Sequence, residues 1–364
     1  MQQLKLNLRG LIWKIFLSNF DLLNFPYKLN FAVTNKCNSR CKTCNIWKKR
    51  ACNELSLSEI EKIFKEINFF SWINLTGGEP FLRKDLVDIV EVLHKNCKDL
   101  FILNIPTNGF FPSLTYKKVE EMLSLNIPWY IVTVSLDGPR KEHQKIRGIS
   151  KAWEKSIETY KNLKQLANES KNLDVFFEFT LSPYNLGLFE RTFYEAKSEI
   201  QDLNLNDFVI TIFHCSHYYN NLHQSNLLLE FRKNLYEEVD RILAFRKNHV
   251  QVKTLIHQIY LSLAKQLVNS DRTLNCKALF SSCFLDACGN LYPCIIYDRK
   301  MCNLRDNDYN IKTCLSMKSI DNVKKDIKEL KCPGCWTPCE ANQTIVGNIL
   351  KSLFLYKKGG GKIT

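Results

Sequence analysis

The stretch Lys28–Cys44, KLNFAVTNKCNSRCKTC, decides how the rest of the chain is read. Leu29 to Thr34 is a short apolar run that predicts a strand, and it leads directly into Cys37, Cys41 and Cys44 in C-x3-C-x2-C spacing. Three thiolates in so short a loop can converge on one inorganic centre. A [4Fe–4S] cube takes four ligands and would keep one iron open here. Zinc is the competing metal, with four closed ligands in structural sites or three plus water in catalytic ones.

Outward from that loop, helix and strand signals alternate. Ser56 to Ile67 predicts a helix, with Ser56 as N-cap, Glu59 at the capping-box position, and Ile60, Ile63, Phe64 and Ile67 on one face. Trp72 to Thr76 predicts a strand ending in Gly77-Gly78-Glu79-Pro80, before a helix with apolar positions Leu86, Ile89, Val90 and Leu93. Phe101 to Pro106 leads to Thr107-Asn108-Gly109 and a helix containing Val119, Met122 and Leu123. Tyr130 to Val134 leads to Ser135-Leu136-Asp137-Gly138 and a helix near Trp153 to Leu166, and Val175 to Leu181 and Phe208 to Phe213 supply two more strands. Six strands separated by helices predict an α/β parallel sheet with right-handed crossovers. The polar and Gly-rich residues fall just past the strands' C-terminal ends, where barrel-like folds place their active sites.

Composition narrows the class. The chain has 364 residues, 45% of them hydrophobic, which excludes disorder as the main state. No run of 18 or more uncharged apolar residues is present, so no conventional transmembrane helix is expected. The Leu11–Leu17 patch is interrupted by Lys14 and too poorly flanked for a secretory signal, so the expectation is a cytoplasmic protein. In a reducing compartment, 15 cysteines read as metal-cluster ligands rather than disulfides, with Cys52, Cys97 and Cys215 as small core residues. The net charge of +14 would suit nucleic acid, a membrane surface or an anionic substrate, but Lys is spread along the chain.

The cysteine loop followed by GGEP on successive strands resembles the radical S-adenosylmethionine (radical SAM) superfamily, over about residues 28–247. The resemblance implies a partial (β/α)6 TIM-like barrel and a [4Fe–4S] cluster on Cys37, Cys41 and Cys44, whose open iron chelates S-adenosylmethionine. It implies cofactor contacts from Gly77, Gly78, Glu79 and Pro80 to the methionine amino group, from Thr107, Asn108, Ser135 and Asp137, and from Arg147 to the ribose or carboxylate. Reductive cleavage to a 5′-deoxyadenosyl radical, hydrogen abstraction from a substrate, and a low-potential electron donor of flavodoxin or ferredoxin type follow from it. Such chemistry belongs to the cofactor, so no residue is assigned as a general acid or base. Thr43 stands where many members carry an aromatic residue against the adenine, and Trp47 is the substitute or an ordinary core residue.

Nine of the 15 cysteines lie in the last quarter of the chain. There, Cys276-x12-Gly289-x4-Cys294 followed by Cys332-x2-Cys335-x3-Cys339 resembles the SPASM and twitch extensions that carry auxiliary clusters. The chain lacks the longer block and the cysteine downstream of Cys339 that a full SPASM pattern has. One auxiliary [4Fe–4S] cluster is therefore implied, on Cys276, Cys294, Cys332 and Cys335 with Cys339 as spare or replacement, and a zinc ribbon is the alternative. Gly289-Asn290 predicts a turn between two short strands, and Cys283, Cys288, Cys302 and Cys314 carry no role. The implied organisation is an N-terminal apolar segment 1–27, a barrel 28–247, a linker helix and auxiliary cluster domain 248–344, and an amphipathic basic tail 345–364.

Weaker signals remain. His214 and His217 sit beyond the sixth strand, Glu178 points into the barrel or lies on its edge, and Asp298 is either a base or a solvated carboxylate. The stripes Leu11, Ile12, Ile15, Phe16 and Ile345, Val346, Ile349, Leu350, Leu353 pack on the barrel or touch a membrane peripherally, packing being favoured. A zinc or iron-sulfur nucleic-acid module and an electron carrier compete with the enzyme reading. The first leaves the β/α alternation unexplained, and the second has no use for a cofactor amine site. The leading substrate is a peptide or another small molecule, with a lipid or lipid-linked glycan second.

Overall fold

The computed structural model describes residues 2–65, 67–247, 255–267 and 273–359. An N-terminal helix α1 (Gln2–Ser18) precedes β1 (Lys28–Thr34), α2 (Leu57–Phe64), β2 (Trp72–Gly77), α3 (Leu86–Asn96), β3 (Ile102–Thr107), α4 (Pro112–Leu123) and β4 (Trp129–Ser135). Two helices, α5 (Arg140–Arg147) and α6 (Ala152–Glu169), lead to β5 (Leu173–Leu181), α7 (Phe189–Glu199) and β6 (Phe208–Ile212). Then come α8 (Ser225–Arg246), α9 (Leu255–Ala264), β7 (Ser282–Leu285), β8 (Asn290–Tyr292), β9 (Cys302–Asn303), α10 (Ile311–Leu315), α11 (Ser319–Lys328), α12 (Pro338–Val346) and α13 (Ile349–Lys358).

Strands β1 to β6 lie side by side in chain order and pair in parallel, and the sheet stays open. This is the expected partial (β/α)6 barrel. Local chemistry explains much of it. The capping box of α2 forms, with Glu59 N donating to Ser56 Oγ at 3.3 Å and Ser56 N to Glu59 Oε2 at 2.9 Å. Along β5, Leu173, Val175, Phe177, Phe179 and Leu181 are buried, and Tyr160 of α6 stacks on Phe177 at 3.9 Å. Residues of the opposite parity form the polar inner face, where Asn74 Nδ2 donates to Asn30 Oδ1 at 2.9 Å and Thr133 Oγ1 to Glu178 Oε2 at 2.8 Å. Glu178 therefore points into the barrel.

The sheet does not stop at β1. Strand β7 pairs in parallel with its free side, Leu29 opposite Cys283 and Phe31 opposite Leu285, and β8 and β9 continue antiparallel. The turn between β7 and β8 forms as expected, with Gly289 at φ +85°. A buried polar contact seals the join: Lys28 Nζ donates to the Cys339 carbonyl at 2.8 Å, while Glu340 accepts from Ser282 Oγ and from Asn30 Nδ2.

Two expectations are corrected. Cys52 pairs with Cys288 and Cys302 with Cys314, so four cysteines read as core residues or left without a role form disulfides. The reason is topological: β7 docks on β1, bringing the loop before α2 onto the β7–β8 turn, where Leu55 N donates to Ala287 O at 2.8 Å. The second correction concerns α1. It packs through Leu11 and through Lys14, which meets Asp99 at 2.7 Å, but leaves Ile12, Trp13 and Phe16 exposed. No described helix is long and apolar enough to cross a membrane.

Candidate active site

Cys37, Cys41 and Cys44 lie on the loop after β1 and remain thiols. The loop is held by its backbone. Arg40 N and Lys42 N donate to Arg147 O and Ile146 O at 2.9 and 2.8 Å, and Asn221 Nδ2 donates to Thr43 O at 2.9 Å. Gly148 follows α5 at φ +66°, and a Cβ there would come within 2.7 Å of Arg40. Burial pushes the Cys37 thiol up to about 11 and the Cys44 thiol to about 12, so a metal entering the loop must displace their protons. The Arg147 guanidinium lies 3.6 Å from Cys41 Sγ.

The glycines after β2 allow the second loop to close on the first. Gly78 N donates to Thr34 O at 2.7 Å and Glu79 N to Lys36 O at 2.8 Å. A Cβ on Gly78 would lie 2.1 Å from Lys36 O. We expect Gly78→Ala to force the loops apart at a cost of about 1–3 kcal/mol, read as a lower thermal midpoint; an unchanged midpoint would show that the contact is slack.

Glu79 is buried, and its carboxylate accepts from Thr107 Oγ1 at 2.8 Å and Asn108 N at 2.7 Å. Asn108 Nδ2 in turn donates to Asn38 Oδ1 at 2.7 Å, inside the cysteine loop. Burial raises the Glu79 carboxyl to about 7, against the donors that favour its ionised form. The native state then holds this proton at pH values where the unfolded chain has lost it. The stabilisation is therefore full at or below about pH 4.5 and is lost as pH rises through about 7. Chemical denaturation of the metal-free protein should show this slope in the wild type and a flatter one in Glu79→Gln; equal slopes would contradict the assignment.

Arg147 and Asp137 form a buried ion pair, Nη2 to Oδ2 at 2.6 Å, and Thr180 N holds the other carboxylate oxygen at 2.8 Å. Burial works against the guanidinium charge, but Asp137 and Cys41 outweigh it and keep Arg147 firmly protonated. Among the described residues, Arg147 Nε is buried without a hydrogen-bond partner. Ser135 ends β4 opposite Glu178. Pro80 is buried and starts a short 3-10 turn. Trp47 sits under the Arg40 guanidinium at 4.8 Å.

A second group of thiols comes from the last quarter of the chain. Cys276, Cys332 and Cys335 line a cavity of about 200 Å³ with Trp336 and Glu340. Buried Cys294 has Glu340, Cys335 and Cys276 as its electrostatic neighbours, and burial pushes Cys276 up to about 12. Cys339 has Lys28, Glu340, Glu178 and Cys335 as its electrostatic neighbours. No three of the described His, Cys, Asp or Glu side chains close on a single-ion site.

Between the two thiol groups is a smaller cavity of about 80 Å³, lined by Lys49, His217, Tyr218, Asp286, Cys294 and Asp298 among others. Lys49 Nζ lies 4.1 Å over the Tyr218 ring, and the Tyr218 hydroxyl is buried without a hydrogen-bond partner among the described residues. His217 Nδ1 stands 3.6 Å from Asp298 Oδ2. Lys49 and Asp286 were not singled out from the sequence, although Lys49 follows Cys44 by five residues. His214 is occupied elsewhere: its Nε2 accepts from Trp336 N at 2.8 Å and its Nδ1 donates to Ile212 O, tethering the Cys332–Cys335 segment to β6.

Residues 31–183 match the family model described as the radical SAM superfamily. The chain carries a radical SAM domain. Its sequence is 34% identical over 178 residues to a "Probable GTP 3′,8-cyclase" of Archaeoglobus fulgidus, covering 44% of this chain and 56% of that protein. The chain spans about half the length of the first curated relatives it matches. In fold it is similar to Streptococcus suis SuiB bound to S-adenosylmethionine, with TM-score 0.58, 15% identity, and 87% of this chain and 73% of that chain covered. It is also similar to native anSMEcpe with bound AdoMet and Kp18Cys peptide, with TM-score 0.54, 15% identity, and 92% and 99% covered.

Radical SAM domains use a [4Fe–4S] cluster and S-adenosylmethionine, and the radical SAM domain of this chain has a donor set that fits both. It offers three thiols on one loop, which is one short of a closed cube. Beside them stand a guanidinium with an unused buried N–H and a carboxyl poised near neutrality.

Proposed function

We propose that the chain is a radical SAM enzyme that modifies or oxidises a peptide. One arrangement carries the reading: the three-thiol loop is clasped on one side by Gly77-Gly78-Glu79 and on the other by Arg147. When bound, the cluster and S-adenosylmethionine supply reductive cleavage to a 5′-deoxyadenosyl radical, which takes a hydrogen from the substrate. Cys37, Cys41 and Cys44 would hold the cluster. Gly77, Gly78, Glu79 and Pro80 would orient the amino group, Arg147 would face a carboxylate or ribose hydroxyl, and Thr107, Asn108, Ser135 and Asp137 would keep these groups in place. Tyr218 and Asp286 of the β7–β8 turn, which line the small cavity, would help to keep water from the reacting groups.

Residues 248–344 would be the auxiliary domain, with Cys276, Cys294, Cys332 and Cys335 holding one cluster. Cys339 serves the join through its carbonyl. The small cavity between the thiol groups would take the reacting side chain of the peptide, with Lys49 as a cation for a backbone carbonyl or carboxylate and His217–Asp298 as an acceptor for a proton lost on oxidation. A peptide is favoured because the likeness to anSMEcpe, seen with a peptide, spans 92% of the chain, whereas the likeness to the cyclase covers 44%. A flavodoxin- or ferredoxin-type donor would supply the electron.

Anaerobic reconstitution with iron and sulfide, followed by reductant and S-adenosylmethionine, should yield 5′-deoxyadenosine. No product would defeat the enzyme reading. A peptide library should raise the yield and GTP should not, with an oxidised peptide two hydrogens lighter than its precursor; turnover of GTP alone would replace the peptide by a nucleotide.

A further inference from the structure

We propose that α1 and α13 together form an interfacial surface that seats the protein on an anionic lipid bilayer. In α1 most of the described residues facing solvent are apolar: Trp13 is 59% exposed and Phe16 51%, with Phe20 just beyond the helix at 60%. Their rings run together, Trp13 to Phe16 at 5.3 Å and Phe16 to Phe20 at 5.2 Å. On α13, Leu350 is 82% and Phe354 65% exposed, one helical turn apart. The two helices meet at Asn19, whose Nδ2 donates to Val346 O at 3.0 Å and whose Oδ1 accepts from Ile349 N at 3.0 Å. The opposite face of α1 is fixed to the barrel through Leu11, Asn7 and Lys14, so the apolar face is presented on a rigid support.

The charge around this surface selects the occupant. Neither helix contains a single Asp or Glu, while Lys5, Arg9, Lys351, Lys357 and Lys358 are exposed on them. The carboxylates beside the helices are committed, Asp99 to Lys14 at 2.7 Å and Asp21 to Lys277 at 2.7 Å and Lys328 at 3.1 Å. Exposed aromatic and aliphatic side chains beside uncompensated cations fit the boundary of a bilayer, where rings enter the acyl region and Lys and Arg meet anionic headgroups. A second copy fits poorly, because an isologous contact would set the same cations against themselves.

Flotation of the reconstituted full chain with vesicles tests the assignment. The wild type should float with phosphatidylcholine–phosphatidylglycerol vesicles and not with phosphatidylcholine alone, and its Trp emission should move to the blue, a shift absent in Trp13→Phe. Trp13→Ser/Phe16→Ser and Lys351→Glu/Lys357→Glu/Lys358→Glu should each bind at least about tenfold more weakly, since each neutralised or reversed cation and each lost ring removes a share of the surface affinity. Both variants should keep their iron content and 5′-deoxyadenosine formation without vesicles, which separates this proposal from the enzymatic one. Equal flotation of wild type and variants, or none with anionic vesicles, would overturn it. So would a concentration-dependent dimer, abolished by the same substitutions, in a protein that ignores lipid.

Discussion

Replacing Cys37, Cys41 and Cys44 together by alanine is expected to abolish 5′-deoxyadenosine formation and to lower bound iron from about eight atoms to about four, since each cube holds four. The fold should persist, because the loop is fixed by main-chain bonds to Arg147 O and Ile146 O and by Asn221, none of which involves a thiol. The remaining iron would sit on Cys276, Cys294, Cys332 and Cys335. Retained 5′-deoxyadenosine would sink the placement of the first cluster. Retention of about eight irons would refute the single auxiliary cluster, and zinc in place of the remaining iron would make the second thiol group a zinc site.

Arg147→Met should be the most disruptive single substitution. It removes the counter-charge of Asp137, whose side chain is 1% exposed, and breaking a buried pair in this way costs about 3–5 kcal/mol. Burial already raises the Asp137 carboxyl, and without the guanidinium only the Thr180 hydrogen bonds oppose that rise. The native variant would then keep a proton that the unfolded chain loses, so its deficit should be smallest in acid and grow as pH rises through the elevated native value. Asp137→Asn on the same background should recover most of the stability while leaving S-adenosylmethionine binding weak. A lost charge-assisted contact is worth about 1.5–3 kcal/mol, about ten- to a hundredfold in affinity. Calorimetry of cofactor binding and denaturation across pH give the two readouts; unchanged affinity in the single variant would show that Arg147 does not face the cofactor.

The barrel was legible because its signals are local. The capping box at Ser56–Glu59, the apolar spacing in α3 and the strand-then-glycine pattern at Gly77 each require only neighbouring residues, and each element forms where expected. Boundaries moved slightly, α2 ending at Phe64 while Ile67 remains buried beyond it. What was not legible depends on distant partners. Cys52 and Cys288 are 236 residues apart, and nothing in either neighbourhood announces the pairing. Lys28, which stands just outside the strand predicted at Leu29 to Thr34, is almost wholly buried because α12 arrives to meet it. The terminal helices show the limit of periodicity: their apolar stripes are evident, but which face meets the barrel is set by Asn7, Lys14 and Asn19, polar residues that a hydrophobic pattern ignores.

The pairing of β7 with β1 also bears on how the chain matures. Every residue of β1 is buried, but one of its two flanking strands is encoded more than half the chain later. During synthesis, at about 5–20 residues per second, the nascent barrel must wait many seconds with an apolar strand edge open to any passing polypeptide. A fragment ending at residue 247 would remain in that condition permanently. Its insolubility, and its rescue by a separately supplied segment spanning α9 to α12, would show that the last quarter of the chain closes the sheet as well as carrying cysteines.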